Sequence, residues 1–297
     1  MTKNRPALSI GMPIFNGEKY VSQAISSLLS QSFEDFEVII SDNCSTDGTE
    51  IICREFSEKD TRIRYVRQSE NLGALRNFEF VLGAASADFF MWAACDDVWS
   101  PDWIKEIFQI AQTHQCACYG RVHVMDDANK TIKHIANMRS IEFTGSKLKR
   151  RIFYFLDPGM RGKANAFYSV FPTVTLRRAW EISFSRHPVI NRLLFSDTLI
   201  LYAFLELSEI RSASGAMMSK RIRSTPVGSA DTGARGRLRV SALNPRYISR
   251  RFNNLMDSID WIHYYKLSST IEILMISLLL PVLAANKLRW KILRKIR

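Results

Sequence analysis

The chain is poor in the residues that build disulfide-stapled and zinc-cluster proteins. Its 297 residues include only five cysteines and five histidines. The cysteines, which follow no paired framework, are Cys44, Cys53, Cys95, Cys116 and Cys118. The lone Cys-x-Cys at 116–118 has no second ligand pair nearby, so we expect no zinc site. Free thiols in a reducing cytoplasm are therefore expected, and MTKNRPALSI lacks the apolar segment of a signal peptide.

Long apolar runs and glycine-rich phosphate loops are also missing. The longest apolar run, residues 273–285, is thirteen residues long and is interrupted by Ser277 and Pro281. A membrane-spanning helix needs ~20 apolar residues, so this run is too short to span a bilayer. No dinucleotide fingerprint or P-loop follows the first apolar segment, which argues against a dehydrogenase.

Positive charge is abundant but unevenly placed. The net charge is +12, with 46% hydrophobic and 24% charged residues, a globular composition. Segment 287–297 holds six cations and no acid, and segment 220–239 holds six cations and one acid. These two segments carry nearly all of the net charge. Since no nucleic-acid recognition motif accompanies them, we do not expect a nucleic-acid partner.

The first hundred residues alternate between short apolar runs and amphipathic segments. We predict four strands, at 7–14, 36–41, 62–67 and 88–94. Between them we predict three helices, the first beginning at Tyr20, the second at Ile51 and the third spanning 74–85. Asp47 and Glu50 have the spacing of a capping box before the second helix. This alternation predicts an α/β fold with a parallel sheet, whose ligands bind at the carboxyl ends of the strands.

Polar or aromatic side chains follow all four predicted strands. These side chains belong to Phe15 after the first strand, Asp42 after the second, the 71–76 segment after the third, and Asp96 with Asp97 after the fourth. Because the carboxyl ends of parallel strands share one edge of the sheet, we expect the four sets to converge on one crevice.

The adjacent carboxylates of Asp96 and Asp97 close an apolar run, although neighbouring acids repel each other and resist burial. One carboxylate could bind Mg²⁺ or Mn²⁺ beside a diphosphate while the other reaches ribose hydroxyls. The same dipeptide recurs at 126–127, in a turn predicted between two strands of segment 120–135. There we expect the acids to be solvated.

Three stretches make the sequence recognisable: LSIGMPIFNGEKYVSQAISSLLSQSFEDFEVIISDNCSTDGT, then NLGALRN, then ACDDVWSPDWI. As an ordered set they closely resemble the nucleotide-binding half of family 2 glycosyltransferases, over about residues 7–110. The resemblance implies a GT-A, Rossmann-like, mostly parallel sheet with flanking helices. It also implies an inverting enzyme that transfers a sugar from a nucleotide diphosphate sugar to a saccharide or lipid-linked acceptor.

The resemblance further implies roles for individual residues. Those expected to bind the nucleotide are Pro13, Phe15 and Asp42 at the nucleobase, Asn71, Gly73 and Arg76 along the pocket, and Asp96 at the ribose. Asp97, with Asp96, is expected to bind Mn²⁺ or Mg²⁺. Many family members carry a further acid where this chain has Ala94, so the division of roles between Asp96 and Asp97 stays open.

Inversion requires one general base that takes a proton from the acceptor hydroxyl. In the family this base is usually an acid beyond the metal motif, at the start of a helix. Asp197 fits, because it immediately precedes an apolar helical run within 196–210. Asp157, Glu206 and Glu209 are less suitable alternatives.

The remaining segments are less regular. We predict a nucleotide-sugar-binding half at 1–110, an acceptor-binding half at 111–225, and a basic loop with a helical C-terminal extension at 226–297. The Ser-, Gly- and Arg-rich segment 211–239 reads as a mobile loop. From 220 onward it is either a linker or a lid, in which Lys220, Arg221 or Arg223 would oppose the pyrophosphate.

The helical segment 245–297 ends in a basic tail that suits contact with an anionic membrane surface. The alternative is a terminal helix packed on the body of the protein. Membrane contact predicts a cytoplasmic protein that is peripheral to the membrane. Two other functions stay open: a nucleotidyltransferase that makes the sugar nucleotide, and a non-catalytic nucleotide- or carbohydrate-binding protein.

Overall fold

The computed structural model describes residues 5–134, 136–157, 162–186 and 196–222. Its strands are β1 (Leu8–Ile14), β2 (Phe36–Asp42), β3 (Ile63–Arg67), β4 (Phe89–Trp92), β5 (Val98–Trp99), β6 (Ala117–Met125), β7 (Val170–Pro172) and β8 (Ile210–Arg221). Its helices are α1 (Glu18–Leu29), α2 (Thr49–Lys59), α3 (Ala74–Ala84), α4 (Trp103–His114), α5 (Lys147–Leu156), α6 (Thr173–Arg186) and α7 (Ser196–Leu207). A 3-10 helix spans Lys163–Tyr168.

These strands form one sheet in the order β3-β2-β1-β4-β7-β6-β8-β5. β1 pairs in parallel with β2 and β4, and β2 pairs in parallel with β3. β7 is antiparallel to both of its neighbours, β8 is parallel to β6, and β5 is antiparallel to β8. The predicted α/β class, with a mostly parallel sheet and flanking helices, is confirmed.

The central strand β1 is covered on both faces, which explains its nearly continuous apolar sequence. Leu8, Ile10 and Met12 are fully buried on it. Strands of parallel sheets that carry helices on both sides read as unbroken hydrophobic runs. Burying each of these side chains contributes about 1.5–3 kcal/mol, so β1 anchors the edge on which the candidate site stands.

The register of the sheet places the ends of the four predicted strands side by side. Ile14 at the end of β1 pairs with Asp42 at the end of β2, and Asp42 pairs with Arg67 at the end of β3. On the other side, Gly11 pairs with Trp92, the last residue of β4. The loops after these strands therefore leave the sheet at one edge, as predicted.

The first turns of α1 and α2 lie against each other near this edge. The Asp47 carboxylate accepts hydrogen bonds from the backbone N–H groups of Glu18 and Thr49, both at 3.1 Å. Glu18 in turn accepts from the N–H of Gly48 at 2.9 Å. Asp47 thus satisfies donors at two helix starts, which are left without partners inside a helix. Glu50, the other half of the predicted capping box, ion-pairs with arginines instead.

The start of the predicted mobile loop at 211–239 is wrong, because residues 210–221 form strand β8. β8 pairs along β6, and a register shift opposite Tyr119 and Arg121 interrupts its alternation. A Cβ atom on Gly120 would lie 2.3 Å from the Trp103 ring and 2.7 Å from the Ala216 carbonyl, so only glycine lets the strands approach. Small residues at this close contact hid the strand pattern.

A cluster of aromatic rings joins β4 to the second half of the sheet. The Trp92 ring stacks on Phe167 with centroids 4.1 Å apart and 6° between planes, and Trp180 lies 5.8 Å away. Such pairs add about 0.5–1.5 kcal/mol beyond the area that they bury. The stack holds the 3-10 helix, and its last residue Tyr168, beside the end of β4.

The predicted helical extension at 245–297 and its basic tail lie outside the described residues. Within the described part of the chain, no helix combines the length and the apolar composition needed to cross a bilayer.

Candidate functional site

The loops after β1 and β2 are joined by hydrogen bonds. The N–H of Asn16 donates to Ser45 Oγ at 2.9 Å, and Asn16 Oδ1 accepts from the N–H of Thr46 at 2.8 Å. The N–H of Asn43 donates to the carbonyl of Ile14 at 2.8 Å. Asn16 has a φ of 50°, a left-handed conformation that costs energy and that these contacts maintain. The edge of the sheet is thus a fixed platform.

Pro13 and Phe15, predicted at the nucleobase, are both partly exposed on this platform. Their rings can offer a base an apolar surface. Asp42 is fully buried, and its carboxylate already has protein partners. These are the N–H of Ser45 at 2.8 Å, the Tyr65 hydroxyl at 2.7 Å and Arg67 Nη1 at 3.0 Å. A carboxylate has about four acceptor positions, of which protein donors use three here, and the contact with a base stays a prediction.

Asn71, Gly73 and Arg76 were predicted to line the pocket. Asn71 Oδ1 accepts hydrogen bonds from Asn43 Nδ2 at 2.8 Å and from the N–H of Gly73 at 2.9 Å. Gly73 has a φ of 81° and open space around the position of a Cβ, so glycine is needed there for backbone conformation. Arg76 is exposed and ion-pairs with Glu79 at 2.7 Å. The loop adjoins the platform through Asn71, and the role of Arg76 in the pocket stays a prediction.

The two acids after β4 have different environments. Asp96 is partly exposed, whereas Asp97 is fully buried. Asp97 Oδ1 accepts the N–H of Arg221 at 2.9 Å, and Asp97 Oδ2 lies 3.3 Å from Lys220 Nζ. A carboxylate taken from water needs such compensation. The structure therefore assigns partners from β8 to Asp97 and leaves Asp96 as the more accessible acid.

Both cations at the end of β8 contact the Asp96–Asp97 turn. Burial alone would lower the pKa of Lys220, but Asp97, then Tyr168 and Tyr119, raise it above the ordinary lysine value. The ammonium is therefore charged at neutral pH. The Arg221 guanidinium is buried and donates to the Asp96 carbonyl at 3.0 Å. Lys220 and Arg221 were expected in a segment that is either a lid over the pyrophosphate or a linker; instead they belong to strand β8, and Arg223 lies outside the described residues.

Tyr168 relates this turn to the predicted base. Burial raises the pKa of Tyr168 to about 12, with Asp97, Asp96 and Asp197 adding to the shift and Lys220 opposing it. Lys220 Nζ lies 4.5 Å from the centre of the Tyr168 ring. Asp197 is in the first turn of α7 and is partly exposed. Tyr168 thus feels the charge of Asp96, Asp97 and Asp197, although about 100 residues separate Asp197 from the other two in sequence.

The alternative base candidates all have arginine partners. Asp157 pairs with Arg139, and Glu209 pairs with Arg211. Glu206 receives both Arg151 and Arg186 at 2.7 Å. Burial would raise the pKa of Glu206, but these arginines lower it below its ordinary value. A carboxylate held ionised by arginine is a weak proton acceptor, so these three alternatives are poorly suited to act as the base.

No group of three or more His, Cys, Asp or Glu side chains that could hold a metal lies within residues 5–134, 136–157, 162–186 and 196–222. A cavity of about 470 Å³ lies on α5, remote from the strand ends. Its lining comes from Arg139, Glu142, Phe143, Thr144, Lys149, Arg150, Phe153, Leu156 and Asp157. Of the predicted site residues and their alternatives, only Asp157 borders this cavity.

Sequence reasoning missed the residues that support the site. Arg67 and Tyr65 hold Asp42, and Asn43 joins the β2 end to the 71–73 loop. Each lies in or next to a predicted strand end, so its position was a usable signal. Tyr168 had none, because it comes from a 3-10 helix far along the chain.

Several known proteins are similar to this chain. TuaG of Bacillus subtilis, named as a teichuronic acid biosynthesis glycosyltransferase, is 32% identical over 117 residues, which is 39% of this chain and 46% of TuaG. Glycosyltransferase GlyG of Streptococcus pneumoniae is 28% identical over 105 residues, 35% of each protein. The matched segments thus span about a third to a half of these relatives.

Solved structures of S. aureus TarS share the fold. TarS 1–349 in complex with UDP-GlcNAc superposes with a TM-score of 0.54 at 19% identity, covering 74% of this chain and 59% of that one. This likeness confirms the predicted GT-A architecture. The family model described as glycosyl transferase family 2 matches residues 9–178, more than half of the chain. The strand-end platform, the Asp-Asp turn and this match agree: the chain belongs to glycosyl transferase family 2.

Proposed function

We propose that the chain is an inverting glycosyltransferase that transfers a sugar from a nucleotide diphosphate sugar to a saccharide or lipid-linked acceptor. One observation carries the proposal. Asp96, in the turn after β4, and Asp197, in the first turn of α7, are both partly exposed acids; burial raises the pKa of Tyr168, and the charge of each acid raises it further. Two carboxylates near one tyrosine can serve the leaving group and the attacking hydroxyl separately.

The donor side of the proposal rests on the platform. Pro13 and Phe15 offer partly exposed rings next to Asp42, which suits a flat base with hydrogen-bonding edges. Asn71 and Gly73 border the same platform through Asn43. TarS has been crystallised with UDP and with UDP-GlcNAc, which supports a nucleotide-sugar donor for this fold.

A divalent cation fits the site through Asp96 better than through Asp97, whose oxygens face Lys220 and the N–H of Arg221. One carboxylate suffices when a diphosphate and water supply the other oxygen ligands, as is common for Mg²⁺. We therefore place Mn²⁺ or Mg²⁺ at Asp96, where it would neutralise charge on the departing diphosphate. In this assignment Asp97 positions the turn.

Asp197 is the proposed general base. Its place in the first turn of α7 leaves the carboxylate partly exposed, and Asp197 Oδ1 accepts the N–H of Thr198 at 2.8 Å. Asp197 would take the proton of the acceptor hydroxyl as the oxygen attacks the anomeric carbon, opposite to the diphosphate.

The test of this proposal is Asp197→Asn in the full chain. Loss of the base should lower transfer about 100- to 10,000-fold, while nucleotide binding stays within about twofold. Sugar transfer is followed by release of nucleoside diphosphate, and binding by calorimetry. Glu209→Gln is the matched control and should keep its activity. Normal turnover of the Asn variant would refute the assignment, and wild-type binding without any transfer or hydrolysis would indicate a binding protein.

We further propose that the acceptor lies on a membrane whose cytoplasmic face the basic tail contacts. The six cations of residues 287–297, and the biosynthetic pathway for which TuaG is named, support this placement. Each basic residue near an anionic surface contributes about 1 kcal/mol, screened by salt. Deleting 287–297 should release the protein from vesicles containing phosphatidylglycerol in a flotation assay. Equal binding with and without the tail would rule out this contact.

A further inference from the structure

The ammonium of Lys220 lies between the Asp96–Asp97 turn and the 3-10 helix. Its Nζ atom lies 3.3 Å from Asp97 Oδ2 and 4.5 Å from the centre of the Tyr168 ring. The Lys220 side chain is 26% exposed, whereas that of Asp97 is 1% exposed. The more exposed side chain of this ion pair is therefore the lysine.

The two neighbouring basic residues on β8, Lys220 and Arg221, have different hydrogen-bond partners. The Arg221 guanidinium donates hydrogen bonds to the carbonyls of Asp96 and Asp126 and to the side chains of Gln23 and Asn129. Lys220 has three N–H donors, and Asp97 accepts one of them. Within the described part of the chain, the other two donors of this more exposed cation have no acceptor.

The charges facing Lys220 come from several elements. Asp96 and Asp97 approach from the turn after β4, Tyr168 from the 3-10 helix, and Tyr119 from β6. The carboxylates of Asp96 and Asp97 would repel a bound diphosphate unless positive charge lies within reach. An ammonium beside that position supplies such charge from the protein itself.

This inference rests on the proposed function. In an inverting displacement the diphosphate departs on the face of the sugar opposite to the base. With the cation proposed at Asp96 and the base at Asp197, the diphosphate belongs on the Asp96 side of the reacting sugar. Lys220 stands on that side, because its Nζ atom lies 3.3 Å from the carboxylate of Asp97 in the same turn.

We propose that Lys220 binds the diphosphate of the donor directly, in addition to any cation held by Asp96. The affinity for nucleotide then has a part that depends on this lysine and persists without metal. An ammonium bonded to a phosphate oxygen is a charge-assisted contact, stronger than a neutral hydrogen bond. The contact strengthens as negative charge grows on the leaving group, so it serves catalysis as well as binding.

The variants separate charge from packing. Lys220→Met removes the ammonium and keeps a similar length, and Lys220→Arg keeps the charge. The double variant Lys220→Met with Asp97→Asn removes both members of the ion pair, so that no carboxylate is left buried without its cation. Lys105→Met, an exposed lysine on α4, controls for the loss of one positive charge elsewhere. Melting temperatures confirm that each variant is folded.

The experiment is calorimetric titration of the full chain with uridine, guanosine, adenosine and cytidine diphosphates and with the matching nucleosides. Each titration is run in EDTA and in Mn²⁺. For the diphosphate that binds wild type most tightly, Lys220→Met and the double variant should lose about 10- to 100-fold in affinity even in EDTA. Nucleoside affinity should stay within about twofold, and Lys220→Arg and Lys105→Met should resemble wild type.

Three results would overturn the inference. The first is diphosphate affinity in the double variant equal to that of wild type. The second is an equal loss for nucleoside and diphosphate, which would mean that Lys220 only supports the fold of the pocket. The third is wild-type protein that binds none of the four diphosphates. That result rejects the proposed function itself, whereas the first two leave it standing.

Discussion

The chain contains the same Asp-Asp dipeptide in two turns, and the two turns are built differently. At 96–97 the second acid is fully buried and faces Lys220. At 126–127 both acids are half-buried and serve local structure. Asp126 Oδ1 accepts the N–H groups of Ala128 and Lys130, both at 2.9 Å. The turn expected there is confirmed, but its acids are more than solvated, since Asp127 Oδ1 accepts the Tyr20 hydroxyl at 2.5 Å.

One side chain joins the two turns. Arg221 donates to the carbonyl of Asp96 at 3.0 Å and to the carbonyl of Asp126 at 2.8 Å. Its guanidinium also lies 4.6 Å from the centre of the Tyr20 ring. The carboxylates differ because only the first turn also meets Lys220, the residue before Arg221 on β8. An acid pair therefore takes its role from the strand that packs beside it.

The largest effect is expected from Arg221→Met, which cuts the bridge between the turns. Removing a buried cation leaves the two carbonyls and its amide partners without donors, so we expect a loss of about 3–5 kcal/mol in the free energy of unfolding. Urea denaturation measures it. Arg178→Met, from an exposed pair with Glu181, is the control and should cost at most about 1 kcal/mol. Equal losses for both would mean that the bridge contributes nothing.

A comparison of Asp96→Asn with Asp127→Asn tests whether only the first turn takes part in sugar transfer. If Asp96 binds the divalent cation, its loss should lower Mn²⁺-supported transfer about 100-fold, since a metal contributes several kcal/mol of charge stabilisation. Asp127→Asn should change the rate less than about twofold. The rates are compared across a Mn²⁺ titration, in which Asp96→Asn should also lose its metal dependence. Similar rates for the two variants would contradict the proposal that Asp96 binds the cation and Asp127 does not.

The smallest effect is expected from Asp126→Ala. This change removes the acceptor of two backbone N–H groups in the second turn, and we expect it to cost about 1 kcal/mol of stability with transfer unchanged. Asp88→Ala, at an exposed ion pair with Arg5, provides a reference near zero. A fall in transfer for Asp126→Ala, without a fall in melting temperature, would show that the second turn acts on catalysis.

Much of the first half could be predicted from local pattern. The strands β1–β4 have apolar runs of the right length, and the helices between them have helical periodicity. Parallel strands end at one edge, so the convergence of the Phe15, Asp42 and Asp96 loops follows from the alternation alone. The individual roles of these residues stay predictions.

The second half of the described chain was harder to predict from the sequence, because its strands pair with residues far away in the chain and their apolar pattern is irregular. Strand β8 carries small and polar residues where it passes Gly120, so its sequence resembles a loop. Nothing in the sequence near Asp97 indicates that Lys220 and Arg221, more than 120 residues later, will meet it. Local propensity contains no term for such contacts.

The sequence by itself determined the α/β alternation, the shared edge of the strands and the presence of an acid pair there. Those properties depend on residues that are close together in the chain, so the periodicity and spacing of the sequence show them directly. Only the tertiary structure decided which acid is buried against a cation and which remains accessible. The reason is that the energy of a carboxylate depends on its desolvation and on nearby charges, and both come from strands that the chain order does not place together.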